Sequence, residues 1–232
     1  MGWVRSGFDS RHSDPEMNKV TQAAEAWVKQ LLAQDASGHD WYHIDRVRKM
    51  ALRIAAEENV DVLKVELMAL LHELPDKKLN LFPDEAAALT AIRTWLTKHD
   101  LAAPDVEEIL EVISLQSYSK SGVTGQKLTS KTGQVMQDAD RLEAIGAIGI
   151  ARCFAYGGSR GRPLHVPSIG TRKNLNEDAI INSDSSLQHF YEKLLRVKNH
   201  MNTETGKRLA AHRHKIIEEF LAEFLAEWDG ER

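Results

Sequence analysis

The sequence has no long apolar run, no excess of basic residues and only one cysteine. Cys153 is the only cysteine in 232 residues, so a disulfide within the chain and a cysteine-built zinc site are both excluded. No apolar run approaches the ~20 residues needed to span a bilayer, which argues against a membrane protein. The formal net charge is −4, unlike the positive excess of a dedicated nucleic-acid-binding domain.

Hydrophobic residues make up 42% of the chain and charged residues 28%, as in ordinary folded domains. The first 16 residues are polar and have no apolar stretch of the kind found in signal peptides. We therefore predict a mobile N-terminal arm over 1–16 and a single domain over 17–232. The lone cysteine favours a reducing compartment, so we expect a cytoplasmic protein.

Apolar residues recur at helical spacing through most of the chain, and no segment alternates cleanly as a strand does. The fold class predicted is all-α, a single helical bundle. The third helix is apolar nearly all round, which places it in the middle of the bundle. We predict helices that begin at Pro15, run over 41–59 and 61–73, begin at Asp84 and Pro104, continue unbroken over 133–157, and end in a core stripe from Ile216 to Trp228.

Two irregular stretches, 117–133 and 157–186, interrupt the helices and are locally basic. Long loops in a compact domain are often functional, and local positive charge on an acidic protein suits an anionic ligand such as a phosphate ester. The alternative is a solvated loop surface. The basic residues are Lys120, Lys127 and Lys131 in the first stretch and Arg160, Arg162, Arg172 and Lys173 in the second.

Four residues are candidate ligands for a divalent metal ion: His43, His72, Glu73 and Asp140. A histidine and a carboxylate side by side at the end of an apolar helix are costly to bury unless a shared cation compensates. Taken singly, a histidine at either position is more often a hydrogen-bonded core or surface residue than a metal ligand. The neighbouring Asp138 is the rival of Asp140.

The order GHDWYHIDRV, ALLHE and DADRL resembles the HD-domain phosphohydrolases, helical bundles in which a histidine, a His-Asp doublet and a distant aspartate bind one divalent metal. Together with FAYGGSRGRPLHVP and HFYEKLLRVKNHMNTETGKRLAAHRH, these motifs look like the small stand-alone bacterial HD hydrolases thought to cleave nucleoside triphosphates. The resemblance covers roughly residues 17 to 230.

The resemblance implies one divalent metal ion held by His43, His72, Glu73 and Asp140, with Mn, Fe, Mg, Ni and Zn not distinguished. Glu73 departs from the family, which has aspartate there. The longer side chain reaches the same point only if it folds or the backbone shifts, so a loosened site is expected. Asp140 is favoured over Asp138 because it directly precedes the Arg-Leu pair.

Further roles are predicted from the resemblance for Asp76, and from position and local charge for the other residues. Asp76 would orient the attacking water, and Arg46, Lys77 and Arg141 would contact phosphate or stabilise its charge. His39, Arg160 and Arg162 would bind substrate. Each has a structural alternative: a cap or loop position for His39, a loop ion pair between Asp76 and Lys77, and surface ion pairs for the arginines.

The function implied is hydrolysis of a nucleoside triphosphate to the monophosphate and pyrophosphate by a metal-activated water. Two alternatives stay open: a degenerate module that binds a nucleotide without cleaving it, and a phosphodiesterase or monophosphatase. The expected partner is a small phosphorylated molecule, with neither nucleic acid nor membrane involved. The sequence leaves the oligomeric state open.

Overall fold

The computed structural model describes residues 15–33, 41–115, 128–168 and 183–232, and within these ranges it contains helices and no strand. The all-α prediction is confirmed. Two short 3-10 segments, Lys77–Leu79 and Leu194–His200, accompany the α-helices. The α-helices are α1 (Pro15–Leu32), α2 (Trp41–Glu58), α3 (Val62–Leu71), α4 (Glu85–Lys98), α5 (Ala103–Leu115), α6 (Lys131–Glu143), α7 (Gly146–Ser159), α8 (Ser186–Glu192) and α9 (Glu204–Trp228).

Helix α3 lies at the centre of the bundle, as its apolar sequence predicted. Its residues from Val65 to Leu71 are all buried, and α1, α2, α5 and α6 pack around it. The carboxylate of Asp61 caps its N-terminus by accepting the amide of Lys64 at 3.0 Å. Because His72 and Glu73 follow α3 directly, this burial carries them into the interior.

The prediction of one helix over 133–157 is wrong, because two helices meet at a turn there. Helix α6 ends at Glu143 and α7 begins at Gly146, whose φ of 79° is easily adopted only by glycine. A Cβ on Gly149 would lie 2.3 Å from the carbonyl oxygen of Ala144, so the turn is tight. Gly157 stays helical within α7. The turn sends α7 back along the end of α6.

Helix α9 packs against α2, α6 and α7, but its apolar stripe is only partly core. Ile217 and Leu221 are buried, whereas Trp228 at the end of the stripe is 45% exposed. The predicted core stripe therefore holds for its first part and not for the last turn of the helix.

Several predictions fall outside the described residues: most of the arm over 1–16, His39, and large parts of both irregular stretches. Helix α1 begins at Pro15, as its proline indicated. Helix α6 begins at Lys131, inside the first stretch predicted to be irregular, because the side chain of Ser130 caps it by accepting the amide of Gly133. None of the helices in the described ranges is long and apolar enough to cross a membrane.

Asp138 on α6 joins that helix to the start of α9. It is fully buried, and its carboxylate accepts the backbone amides of Asn202 and Thr203 and the hydroxyl of Thr203, each at 2.8 Å. Burial raises the pKa of Asp138, and these hydrogen bonds act in the opposite direction. A Cβ on Gly206 would lie 2.2 Å from the same carboxylate.

Replacing Gly206 with alanine should therefore destabilise the fold. The added methyl group has no room, and overpacking of this kind lowers the free energy of unfolding by about 1–3 kcal/mol. Urea denaturation followed by circular dichroism measures the change. Gly158→Ala is the matched control, because no atom lies within 4 Å of a Cβ there, and alanine is favoured in a helix by about 1 kcal/mol. Equal stability of the two variants would contradict this account of Asp138.

Candidate functional site

The structure brings His43, His72, Glu73 and Asp140 together in one group. His43 comes from the first turn of α2, the next two residues follow α3, and Asp140 comes from α6. One potential ligand atom from each lies within 4.8 Å of all the others. Two imidazole nitrogens and two carboxylate oxygens suit a mid-series divalent cation, so the group could hold a metal ion.

The carboxylate of Glu73 lies between the two imidazoles. Its Oε1 is 3.3 Å from Nε2 of His43 and 3.2 Å from Nε2 of His72. Oδ1 of Asp140 lies 3.8 Å and 3.9 Å from the same two nitrogens. The glutamate side chain, longer than the family's aspartate, therefore places an oxygen between both histidines.

The orientation of His72 is set by the backbone of α3. Its Nδ1 lies 2.8 Å from the carbonyl oxygen of Ala69, and since a carbonyl only accepts, Nδ1 carries a proton. In neutral His72, Nε2 therefore presents a lone pair to the carboxylates of Glu73 and Asp140. Lone pairs and anionic oxygens repel at this distance, so the arrangement fits a cation placed among them.

The pKa of His43 reflects the negative charge of the carboxylates around it. Burial lowers its pKa, but hydrogen bonding to Glu143 and Glu73 and the charge of Asp140 outweigh burial and raise the pKa to about 9. Without another cation, the group therefore takes up a proton at neutral pH. A metal ion would have to displace that proton, because imidazole binds metals in its deprotonated form.

Glu143 supports the group from behind, and the sequence reasoning missed it. The residue is only 3% exposed, and its Oε2 lies 3.6 Å from Nδ1 of His43, 2.9 Å from Nε of Arg46 and 3.9 Å from Nη1 of Arg152. Burial acts to raise the pKa of Glu143. Hydrogen bonds to His43 and Arg46 have a larger combined effect, so the pKa lies below its ordinary value and the carboxylate stays ionised. The sequence could have indicated this role, because Glu143 lies three residues after Asp140 and therefore on the same helical face.

A cleft of about 140 Å³ opens beside the group. Arg152 on α7 and Lys193 after α8 line this cleft although the sequence did not indicate either residue. Neither belongs to the three motifs that carry the candidate metal ligands, and the packing of α7 against α6 and of α8 against α7 brings them there. The described residues that line the cleft are His43, Glu73, Asp140, Arg141, Ala144, Arg152, Lys193 and Val197.

The arginines predicted near the metal are both held by other parts of the protein. Arg141 lines the cleft, but it is only 8% exposed and its guanidinium donates to the carbonyl oxygen of His200. Arg46 donates to Glu143. Asp138 contacts the start of α9, as described above, while Asp140 belongs to the ligand group.

The remaining predicted residues that the structure describes do not line the cleft. The amide of Asp76 donates to the carbonyl oxygen of Glu73 at 2.9 Å, and Lys77 is exposed. The guanidinium groups of Arg160 and Arg162 lie over the ring of Tyr156, 5.5 Å and 5.7 Å from its centroid. His39 lies outside the described residues.

Comparison with known proteins adds relatives over most of the chain, although no family model matches it. The crystal structure of an HD-superfamily hydrolase from Bacillus thuringiensis is 38% identical, has a TM-score of 0.75, and is matched over 92% of this chain and 98% of its own. The uncharacterized protein L803 of Acanthamoeba polyphaga mimivirus is 30% identical over 75% of this chain and 81% of its own.

A second bacterial relative is the uncharacterized protein YpgQ of Bacillus subtilis, which is 34% identical over 88% of this chain and 93% of its own. The crystal structure of YpgQ in complex with ADP has a TM-score of 0.71 and is 31% identical, with 91% of this chain and 96% of the other covered. Fold, ligand group and relatives agree, and the chain belongs to the HD superfamily of hydrolases.

Proposed function

We propose that the protein is a metal-dependent phosphohydrolase that acts on a nucleotide. The observation that carries the proposal is the group of two imidazole nitrogens and two carboxylate oxygens within 4.8 Å at the edge of a cleft. The ADP complex of YpgQ supports a nucleotide as the ligand. We expect a cytoplasmic location, because the single cysteine of the chain favours a reducing compartment.

The donor set fits one divalent ion, with His43, His72, Glu73 and Asp140 as its ligands. Such an ion, when bound, supplies hydroxide near neutral pH and offsets the negative charge of a phosphoryl group. The carbonyl of Ala69 orients His72. Glu143 faces the other ring nitrogen of His43, as second-shell carboxylates do behind ligating histidines.

The linkage that we propose is the one between the α- and β-phosphates of a nucleoside triphosphate, which yields the monophosphate and pyrophosphate. In this scheme Asp76 orients the attacking water, as the family resemblance implies. A screen of nucleotides against a panel of divalent ions, with products identified by chromatography, tests the linkage. Release of pyrophosphate supports the proposal, whereas inorganic phosphate alone or an opened cyclic nucleotide would favour the monophosphatase or the phosphodiesterase.

Loss of one ligand should abolish metal binding and turnover together. His72→Ala and Asp140→Ala each remove a donor from a site of four, and we expect less than about 1% of wild-type turnover. Metal content measured on the purified variants and nucleotide hydrolysis are the two readouts. Asp45→Ala, two residues after His43 on α2 and paired with Lys49, is the control. Near-normal hydrolysis by either ligand variant would reject the assignment.

The glutamate at position 73 decides between an enzyme and a binding module. Its oxygen already lies between both histidines, so we expect the native chain to bind metal and hydrolyse nucleotide. Glu73→Asp shortens the side chain by one methylene group, and we expect it to change the metal affinity by no more than about tenfold. If Glu73→Asp gained both metal and hydrolysis that the native chain lacks, the protein would be a module that binds a nucleotide without cleaving it.

Metal affinity should rise with pH through the neutral range. Below pH 9 the metal-free group holds a proton on His43, and this proton leaves when metal binds. The affinity for Mn²⁺ should therefore increase by about tenfold per pH unit between pH 6 and 8, as measured by competition calorimetry. Glu143→Gln removes one anionic neighbour of His43 and should flatten the slope above pH 7. A slope of zero in the native protein over this range would contradict the account.

A further inference from the structure

The cleft beside the ligand group carries three cationic side chains: Arg141, Arg152 and Lys193. The two carboxylates of the group, Glu73 and Asp140, would be neutralised by a divalent ion. The cleft would then have a net positive charge, which favours an anion with more than one negative charge. The phosphate chain of a nucleotide is such an anion.

Arg152 is aimed by contacts with the end of α6. Its Nη1 lies 3.4 Å from the carbonyl oxygen of Glu143 and 3.9 Å from the carboxylate of the same residue. That carboxylate is in turn 3.6 Å from the imidazole of His43. The Arg152 side chain is 37% exposed, so part of the guanidinium faces the cleft while its position is fixed relative to the ligand group.

Lys193 reaches the cleft from a different element. It follows the last residue of α8, and its amide donates to the carbonyl oxygen of His189 at 3.0 Å, which ends the helix there. Lys193 therefore reaches the cleft from the end of α8, whereas Arg152 comes from α7. Arg141 differs from both residues, because its guanidinium is committed to the carbonyl oxygen of His200.

The size of the cleft limits what part of a nucleotide enters it. A volume of 140 Å³ holds about four or five water molecules, and pockets that enclose whole drug-sized ligands have about 300–1,000 Å³. The cleft formed by the described residues therefore has room for a short phosphate chain, and a base would lie beyond it.

From this charge and volume we infer that Arg152 and Lys193 bind the β- and γ-phosphates of a nucleoside triphosphate while the α-phosphate faces the group formed by His43, His72, Glu73 and Asp140. The inference deepens the proposed function and rests on it. It assigns the binding of phosphate to two residues on the wall of the cleft. Arg160 and Arg162, the residues predicted from the sequence, lie over Tyr156 instead. Planar guanidinium and mobile ammonium groups are both common ligands of phosphate oxygens.

The test compares a ligand that carries the distal phosphates with one that lacks them. Arg152→Gln and Lys193→Gln are titrated by calorimetry, in saturating Mn²⁺, with adenosine monophosphate and with an adenosine triphosphate analogue whose α–β bridge is a methylene group. Each variant should bind the analogue about tenfold more weakly than the native protein, while its affinity for the monophosphate and its metal content stay unchanged. Arg152→Lys keeps the charge and should recover part of the loss.

Arg196→Gln and Lys198→Gln are matched controls, because these exposed residues lie in the same segment as Lys193 and outside the cleft. They remove the same charge and should bind the analogue like the native protein. Three results would overturn the inference: unchanged affinity of the cleft variants for the analogue, an equal loss for the monophosphate, or an equal loss in the controls. A variant that fails to retain metal is replaced by Arg152→Met or Lys193→Met in the same comparison.

Different experimental results would contradict the inference and the proposed function. If the native protein releases pyrophosphate from nucleoside triphosphates but the cleft variants bind the analogue normally, the function stands and the inference falls. If the native protein hydrolyses no nucleotide yet binds the analogue through Arg152 and Lys193, the inference stands for a binding module. Absence of analogue binding to the native protein would remove both.

Discussion

The structure depends on one electrostatic constraint: two imidazole nitrogens and two carboxylate oxygens face one another in a mostly buried space. Anionic oxygens at 3.2 Å to 3.9 Å from ring nitrogens are costly to bury unless positive charge lies among them. In the metal-free state a proton on His43 supplies that charge, which is why its pKa is raised to about 9. A divalent ion supplies more charge and can bind all four donors at once.

Several features of the bundle serve to hold this group in place. The apolar α3 fixes His72 and Glu73 by its burial, and Asp138 fixes α6 against the start of α9 only two residues before Asp140. Glu143, one turn later on α6, connects His43 to Arg46 and Arg152. One helix therefore provides a structural anchor, a candidate ligand and a supporting carboxylate in six residues.

Much of this arrangement could be predicted from the sequence. The third helix was recognisable as central because it is apolar on every side, and the four candidate ligands were recognisable from their order in the motifs. The break between α6 and α7 was not, because apolar spacing continues across it and the positive φ of Gly146 leaves no mark in a periodic pattern. The helix was therefore predicted to be continuous where the chain turns.

The cations of the cleft were missed for a related reason. Arg152 and Lys193 lie outside the three motifs that carry the candidate ligands, and they reach the cleft only because α7 packs against α6 and α8 packs against α7. The basic residues of the two irregular stretches cluster in the sequence, which predicted a phosphate-binding site there. Arg160 and Arg162, however, lie over an aromatic ring outside the cleft. Clustering along the chain is a weaker indicator of a site than convergence in space.

Anomalous X-ray diffraction from crystals grown with Mn²⁺ tests the central claim most directly. We expect one strong anomalous peak at bonding distance from Nε2 of His43, Nε2 of His72 and carboxylate oxygens of Glu73 and Asp140. Crystals that show no peak there at saturating Mn²⁺, or a peak held by other residues, would contradict the account.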